Sequence, residues 1–309
     1  MVIVVNRTRA TAPAFSTSLL LFLAFCGRPP AKTTTQDPSR LDLMVRVAGT
    51  EASTDALQAI GTESNTKLAP RRSGALAGVL AWVLVERYQL TAGFALDVGG
   101  PPVALVRAVL SGGTALGLVR CESACASALD HALEDPADRA RLEQTILRGT
   151  EHDRLDGVAI DLTALPALDP HAVDFVEELG AAVHVVGRKL GVIARMTCRG
   201  LECEGVRGTL ARVVRAVDVL SLEELDQDVP SVEVRQKRRL LVLSAELDGA
   251  PAARVFLGVA NTSDLATRVV DAGARGLGGV DVGRLGETPV CTFDLLAAWH
   301  TKRSSPPCP

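Results

Sequence analysis

Short apolar runs rich in valine, isoleucine and leucine recur along the chain, and most lack the apolar–polar alternation of a half-exposed strand. Runs of this kind are typical of strands that are buried on both faces, as in parallel sheets. The sequence therefore predicts eight strands: Leu43–Val47, Val79–Leu84, Ala115–Val119, Val158–Leu162, Leu190–Met196, Val217–Leu222, Leu240–Ser244 and Gly278–Val282.

Several segments between these runs have the periodicity of helices. In Asp138–Leu147 and His171–Gly187, apolar residues repeat at spacings of three and four among polar ones. Asp169-Pro170 supplies a cap and an early proline for the second of these helices. Leu265–Ala272 is a third helical segment, and Gly273 follows it as a stop.

Eight strand–helix units over about 250 residues predict a single-domain (β/α)8 barrel without a sizeable insertion domain. A doubly wound open sheet is the alternative. No G-x-G-x-x-G pattern follows an early strand, which lowers that alternative.

The first 26 residues have the pattern of a secretory signal peptide. Arg7 and Arg9 precede the apolar run Leu19–Phe25, and the segment contains no acid. The run has about half the length of a membrane-spanning helix, so a buried strand or a membrane anchor is the lesser alternative. We expect a secreted, extracellular protein without a membrane span once the leader is removed.

Three further regions follow from composition. Residues 27–41 are rich in Pro, Thr and Ser and are expected to form a flexible entry segment. Residues 42–300 are expected to form the barrel, and residues 301–309 a C-terminal tail. Asn261 begins an N-T-S sequence, which is a glycosylation acceptor in a secreted chain.

Six cysteines remain after the leader: Cys121, Cys125, Cys198, Cys203, Cys291 and Cys308. An even number in a secreted chain favours disulfides, and Cys198 with Cys203 and Cys291 with Cys308 are candidate pairs. The C-x3-C and C-x4-C spacings could instead hold zinc. No histidine lies at ligand spacing beside them, so we expect neither a metal nor another cofactor.

Composition narrows the function further. Hydrophobic residues make up 47% of the chain, which excludes disorder throughout. The formal charge of −3 provides no broad cationic field, so nucleic acid is not expected as a partner. Aromatic residues make up only 3%, which leaves few rings on which a sugar could stack.

Asp135–Thr163 resembles the helix and fourth strand of family 18 glycoside hydrolases, the chitinases and chitinase-like proteins. The strand of that family has the pattern D-G-x-D-x-D-x-E, and here it reads D-G-V-A-I-D-L-T over residues 156–163. Asp156, Gly157 and Asp161 match the pattern. Ala159 and Thr163 stand where the family has its middle Asp and its catalytic Glu.

The resemblance continues to about residue 300. Val217–Asp226 resembles the sixth strand, Lys237–Leu243 lies where the family has its seventh, and Gly276–Val282 is similar to the closing strand. Gly283 stands at the position of a family Trp. Cys291–Leu296 resembles the end of the family, where a Cys precedes a short helix.

The resemblance implies a chemistry that this chain lacks. In the family, the Glu protonates the glycosidic oxygen while the acetamido group of the substrate attacks, and the inner Asp residues orient that group. The hydroxyl of Thr163 has no useful acidity near neutral pH. We therefore expect a catalytically inactive, chitinase-like protein that binds chitin or another N-acetylglucosamine glycan weakly, or that interacts with a partner the sequence does not identify.

Two other hypotheses remain open. Carboxylates at the rim, namely Glu223, Asp226 or Asp161, could make the chain an active glycoside hydrolase or another barrel enzyme. Alternatively, the barrel is retained for its structure alone. Trp82 is the aromatic candidate for sugar binding. Glu246 to Asn261 is too short for the small insertion domain that deepens the cleft in many family members.

Overall fold

The computed structural model describes most of the predicted barrel. The described residues are 41–49, 80–109, 113–121, 123–165, 168–199, 202–204, 209–226, 249–259 and 262–285, with 236, 239–240, 242–244, 246–247 and 287. The predicted signal peptide, the C-terminal tail and the entry segment except its last residue, Leu41, lie outside these residues. So do Asn261, Cys291 and Cys308.

The strands in the described part are β1 (Asp42–Val47), β2 (Leu80–Leu90), β3 (Leu96–Val98), β4 (Thr114–Cys121), β5 (Gly157–Asp161), β6 (Lys189–Arg199), β7 (Glu202–Glu204), β8 (Val219–Asp226), β9 (Val255–Gly258) and β10 (Gly279–Arg284). The α-helices are α1 (Val103–Val109), α2 (Ser123–Glu134), α3 (Pro136–Thr150), α4 (Pro170–Val185), α5 (Leu210–Ala216) and α6 (Thr262–Arg275). No described helix is long and apolar enough to cross a bilayer.

Eight of the strands form a closed parallel barrel, which confirms the predicted fold class. Their order around the barrel is β1, β2, β4, β5, β6, β8, β9 and β10, and β10 pairs with β1 to close it. The short strands β3 and β7 pair antiparallel with β2 and β6. The predicted start of α4 is also confirmed, because the Asp169 carboxylate accepts a hydrogen bond from the Ala172 N–H.

Side chains from alternate strand positions fill the inside of the barrel. A glycine on β6 makes room for this packing: a Cβ at Gly191 would lie 2.8 Å from a methyl carbon of Leu116 and 3.1 Å from the Cβ of Ala159. The barrel therefore has a packed apolar interior rather than a pore. The interior cluster, as we call it, consists of Met44, Leu84, Leu116, Leu118, Ala159, Ile193, Val219 and Phe256.

The predicted strand over Leu240–Ser244 is wrong, because its described residues are helical. The Ser244 hydroxyl donates to the Leu240 carbonyl at 2.8 Å, and the Leu247 N–H donates to the Leu243 carbonyl at 3.0 Å. Leu243 and Leu247 are both buried, as expected for apolar residues four apart on one helix face. The apolar run Leu240–Leu243 has only four residues, which is short enough to fit a strand or a helix turn, and this explains the error.

The seventh barrel strand is instead β9, in which all four residues are buried. Lys237–Leu243, which resembles the family's seventh strand, precedes it, and so does Glu246. Residues 259–261 alone separate β9 from α6, so this connection holds no insertion domain.

An ion pair lies at the amino-terminal end of the barrel, where β4 and β5 begin. Arg107 of α1 donates from Nη1 and Nη2 to the two carboxylate oxygens of Asp156, at 2.8 and 2.7 Å. The Ala115 N–H donates to Asp156 at 2.8 Å. Burial alone would raise the pKa of Asp156, but these hydrogen bonds outweigh it and lower the pKa. The first Asp of the D-G-x-D-x-D-x-E pattern is therefore a structural residue in this protein.

Asp156→Asn should destabilise the barrel because it removes the charge from this pair. We expect the free energy of unfolding at pH 7, measured with urea, to fall by about 1–2 kcal/mol. Because the folded-state pKa is lowered, the stabilisation is present above the ordinary pKa of about 3.9 and is lost as the pH falls through the folded-state pKa.

Asp138→Asn is the matched control, since Asp138 pairs with the exposed Arg141 on the surface of α3. It should change the free energy of unfolding by less than about 0.5 kcal/mol. An effect of Asp156→Asn that stayed constant down to about pH 2 would contradict the assignment of the stability to the ionised carboxylate.

Candidate functional site

Charged side chains occupy inward-facing positions in the carboxyl-terminal halves of seven barrel strands. Five of them lie two residues beyond members of the interior cluster, for example Arg46 after Met44 and Asp161 after Ala159. Asp281 is in register with Met44, and β9 contributes only Gly258 at this level. We call the set the mouth ring, because active sites of (β/α)8 barrels form at this carboxyl end of the strands. Its members are Arg46, Glu86, Arg120, Asp161, Arg195, Glu223 and Asp281.

Arg46 joins two carboxylates on one side of the ring. Its Nη1 lies 2.6 Å from Oε1 of Glu223, and its Nη2 donates to Oδ2 of Asp281 at 2.6 Å. Asp281 is fully buried, and its remaining acceptors are used by the Ser221 hydroxyl at 2.6 Å and the Gly283 N–H at 2.9 Å. Burial alone would lower the pKa of Arg46, but the two carboxylates outweigh it and raise the pKa above its ordinary value.

Glu86 of β2, the strand next to β1, is the centre of a second group of ion pairs. Its carboxylate accepts from Nε and Nη2 of Arg284 at 2.6 and 2.9 Å, and from Nη1 of Arg120 at 3.0 Å. Arg120 also places its Nε 3.6 Å from Oδ2 of Asp161. The alternating signs around the barrel therefore allow one arginine to neutralise two acids, or one acid to neutralise two arginines.

Thr163, at the position of the family's catalytic Glu, is bound to its neighbour Asp161. The Thr163 hydroxyl donates to Oδ1 of Asp161 at 2.6 Å, and the Thr163 N–H donates to the same oxygen at 3.0 Å. Ala159 is fully buried in the interior cluster, so no carboxylate lies below Asp161 on β5. In the resembled family, this strand carries several acidic residues that take part in the chemistry. Here β5 carries only Asp161, and Thr163 binds it.

The other predicted site residues lie in different places. Glu223 belongs to the mouth ring. Asp226 is the last residue of β8, and its backbone lies opposite Cys198 of β6. Trp82 lies at the amino-terminal end of the barrel, in register with the first residue of β4, and Nζ of Lys189 is 5.2 Å from the centre of its ring. The structure thus brings Asp161 and Glu223 into one ring and places Trp82 at the other end.

The cysteines near the mouth are arranged in two pairs. A disulfide joins Cys121 at the end of β4 to Cys125 in α2, with Cα atoms 5.6 Å apart. The two cysteines of the C-x3-C spacing therefore form a disulfide, which was one of the two predicted alternatives. The backbones of Cys198 and Cys203 lie directly opposite each other between β6 and β7. In the described ranges, no group of three His, Cys, Asp or Glu residues is placed to hold a metal ion.

Most of the mouth ring was not identified from the sequence. Arg46, Glu86, Arg120 and Asp281 are charges that lie within or directly beside apolar runs of their strands, at the inward-facing spacing. That pattern is a readable signal, because a charge on a strand that is buried on both faces needs a partner. The identity of the partner is not readable, because it comes from a strand far along the chain.

Comparisons with known proteins support the fold through structure rather than sequence. No family model and no curated protein matches the sequence. A chitinase from Chromobacterium violaceum ATCC 12472 matches with a TM-score of 0.61 and 16% identity, over 85% of this chain and 100% of that one. A class V chitinase from Pseudomonas fluorescens Pf-5 matches with a TM-score of 0.63 and 15% identity, over 84% and 99%.

The GH18 chitinase ChiB of Flavobacterium johnsoniae matches with a TM-score of 0.58 and 15% identity, over 85% of this chain and 94% of that one. At such identities the likeness shows a shared fold. The chain therefore has the chitinase-like fold of family 18 glycoside hydrolases, as the sequence resemblance predicted.

Arg46→Met should strongly destabilise the protein, because it leaves the buried carboxylate of Asp281 without its cation. Breaking a buried ion pair on one side costs about 3–5 kcal/mol, and we expect a loss of this size in the urea-measured free energy of unfolding. Arg141→Met is the control, since its pair with Asp138 is on the surface and should contribute less than about 1 kcal/mol. Equal effects of the two substitutions would show that the mouth ring does not stabilise the barrel.

Proposed function

We propose that this chain is a secreted, non-hydrolytic protein of chitinase-like fold that binds a saccharide at the mouth of its barrel. The observation that carries the proposal is the pairing of Thr163 with Asp161 at the position where the resembled family has its catalytic acid. A protein with this site would recognise a glycan of the chitin type without cleaving it.

Cleavage of a glycosidic bond requires a proton donor. A general acid must protonate the glycosidic oxygen as the bond breaks, and its pKa must lie near the working pH. An alkyl hydroxyl such as that of Thr163 is far too weak an acid for this role. Its hydrogen bond to Asp161 also directs the hydroxyl proton toward the carboxylate instead of toward a substrate.

The carboxylates of the mouth ring are poor substitutes for the missing acid. Glu86 and Asp281 accept guanidinium hydrogen bonds, and Asp161 and Glu223 form ion pairs with Arg120 and Arg46. These contacts use the ionised carboxylate, which is an acceptor only.

Glu223 keeps one alternative function open. Its side chain is 32% exposed, compared with 10% for Glu86 and 0% for Asp281. It could therefore be reached by a substrate, as an active hydrolase or another barrel enzyme would need. Asp161 and Asp226 are less favoured for this role, since Asp161 is bound by Thr163 and Asp226 lies at the very end of β8.

Secretion is supported by two independent features. The first 26 residues have the charge and apolar pattern of a signal peptide. The Cys121–Cys125 disulfide is of a kind that persists in oxidising compartments and is rare in the cytosol.

Saccharide binding is supported by the polar groups of the mouth and by the chitinases that share the fold. Trp82 lies at the opposite end of the barrel, so binding would depend on hydrogen bonds rather than on stacking against this ring. We therefore expect weak binding, with dissociation constants of about 1 mM for short chitooligosaccharides.

The test measures turnover and binding on the same purified protein. Fluorogenic chitobiosides and chitotriosides should give no release above the background without protein, while chitin beads should retain the protein and soluble chitooligosaccharide should elute it. Ala159→Asp combined with Thr163→Glu should introduce detectable hydrolysis if the pocket geometry is that of a chitinase, with Thr163→Gln in the same background as the inactive control.

Two results would contradict the proposal. Turnover by the unmodified protein that Glu223→Gln abolishes would establish the alternative hydrolase. Failure of the folded protein to bind any N-acetylglucosamine polymer would exclude the chitin-binding function.

A further inference from the structure

Arg195 of β6 differs from the other arginines of the mouth ring because it has no acidic partner. It follows Ile193 of the interior cluster at the inward spacing and is in register with Glu223 of β8. Its Nε is buried and makes no hydrogen bond, and it forms no ion pair within the described residues. The residue as a whole is only partly buried, so it is reachable from solvent.

The carboxylates on either side of Arg195 are already engaged. Asp161, on the preceding strand of the barrel, is bound by Thr163 and lies beside Arg120. Glu223, on the following strand, is paired with Arg46 at 2.6 Å. Neither acid forms an ion pair with Arg195 within the described residues, although Glu86 shows that one carboxylate can bind two arginines. Arg195 is therefore the guanidinium of the mouth ring that has no acidic partner, and its strand β6 lies between β5 and β8.

A guanidinium in this situation is a binding group for an oxyanion. Its planar fork of N–H donors matches the two oxygens of a carboxylate or the oxygens of a sulfate. A buried N–H without an acceptor is uncommon and costly, and a ligand oxyanion would supply the acceptor.

We propose that the mouth of the barrel binds an acidic saccharide, with Arg195 pairing to its carboxylate or sulfate group. The neighbouring groups favour a saccharide over a simple anion, because the ring carboxylates and Thr163 can accept hydrogen bonds from sugar hydroxyls. A ligand that carries both hydroxyl donors and one anionic group satisfies both parts of the mouth. This inference builds on the proposed function, since it places the ligand in the same mouth and names its chemical class.

Calorimetric titration of the whole folded protein at low salt tests the inference with three probes: a galacturonate tetrasaccharide, a sulfated heparin tetrasaccharide and neutral chitotetraose. The better-bound of the two acidic probes identifies the anionic group. We expect Arg195→Gln to weaken the binding of that acidic probe at least about tenfold more than it weakens the binding of chitotetraose. Arg148→Gln removes one charge from the exposed outer surface of α3 and should change every affinity by less than about twofold.

The outcomes separate the two proposals. Equal weakening by Arg195→Gln and Arg148→Gln, or binding of chitotetraose alone, would overturn the acidic-saccharide inference and leave the proposed function standing. Failure of all three probes would overturn both. If Arg195→Gln does not fold, as judged by circular dichroism, Arg195→Lys replaces it, because it keeps the charge but lacks the bidentate fork. It should still weaken the acidic probe relative to Arg148→Gln, and an unchanged affinity would overturn the role of Arg195.

Discussion

The pairing of Arg46 with Asp281 and Glu223 is the constraint on which the mouth of the barrel depends. Asp281 is fully buried, and an isolated carboxylate there would be very unfavourable. Arg46, Ser221 and Gly283 supply the donors that make its burial tolerable. Glu86 is held in the same way by Arg120 and Arg284. Paired charges therefore fill the mouth of the barrel, next to the apolar interior cluster.

This arrangement has a chemical consequence. A carboxylate that is stable inside the barrel because a guanidinium binds it is also a carboxylate without a proton to donate. Thr163 follows β5, and its hydroxyl binds Asp161 at the position where the resembled family has its catalytic acid. In the function that we propose, the absence of acid catalysis and the stability of the mouth have a common physical origin. Arg195 has no acidic partner in the ring, and in our proposal the anionic group of a ligand takes that place.

The sequence was sufficient for the barrel but not for its mouth. Apolar runs buried on both faces are readable locally, as β1 and β5 show, and the D-G-V-A-I-D-L-T stretch located the missing acid. The predicted strand at Leu240–Ser244 was wrong because its four apolar residues fit a helix as well as a strand. Arg46 and Asp281 are 235 positions apart, and only barrel closure between β1 and β10 brings them together. No local pattern contains that contact.

A double-mutant cycle tests whether the mouth ring acts as one coupled network. The free energy of unfolding would be measured with urea for the wild type, Arg46→Met, Asp281→Asn and the double variant. We expect the double variant to be less destabilised than the sum of the single variants by at least about 1 kcal/mol, because either single change leaves a buried group unpaired. Single effects that add to within about 0.5 kcal/mol would show that the two residues do not depend on each other, and would contradict a mouth held together by paired charges.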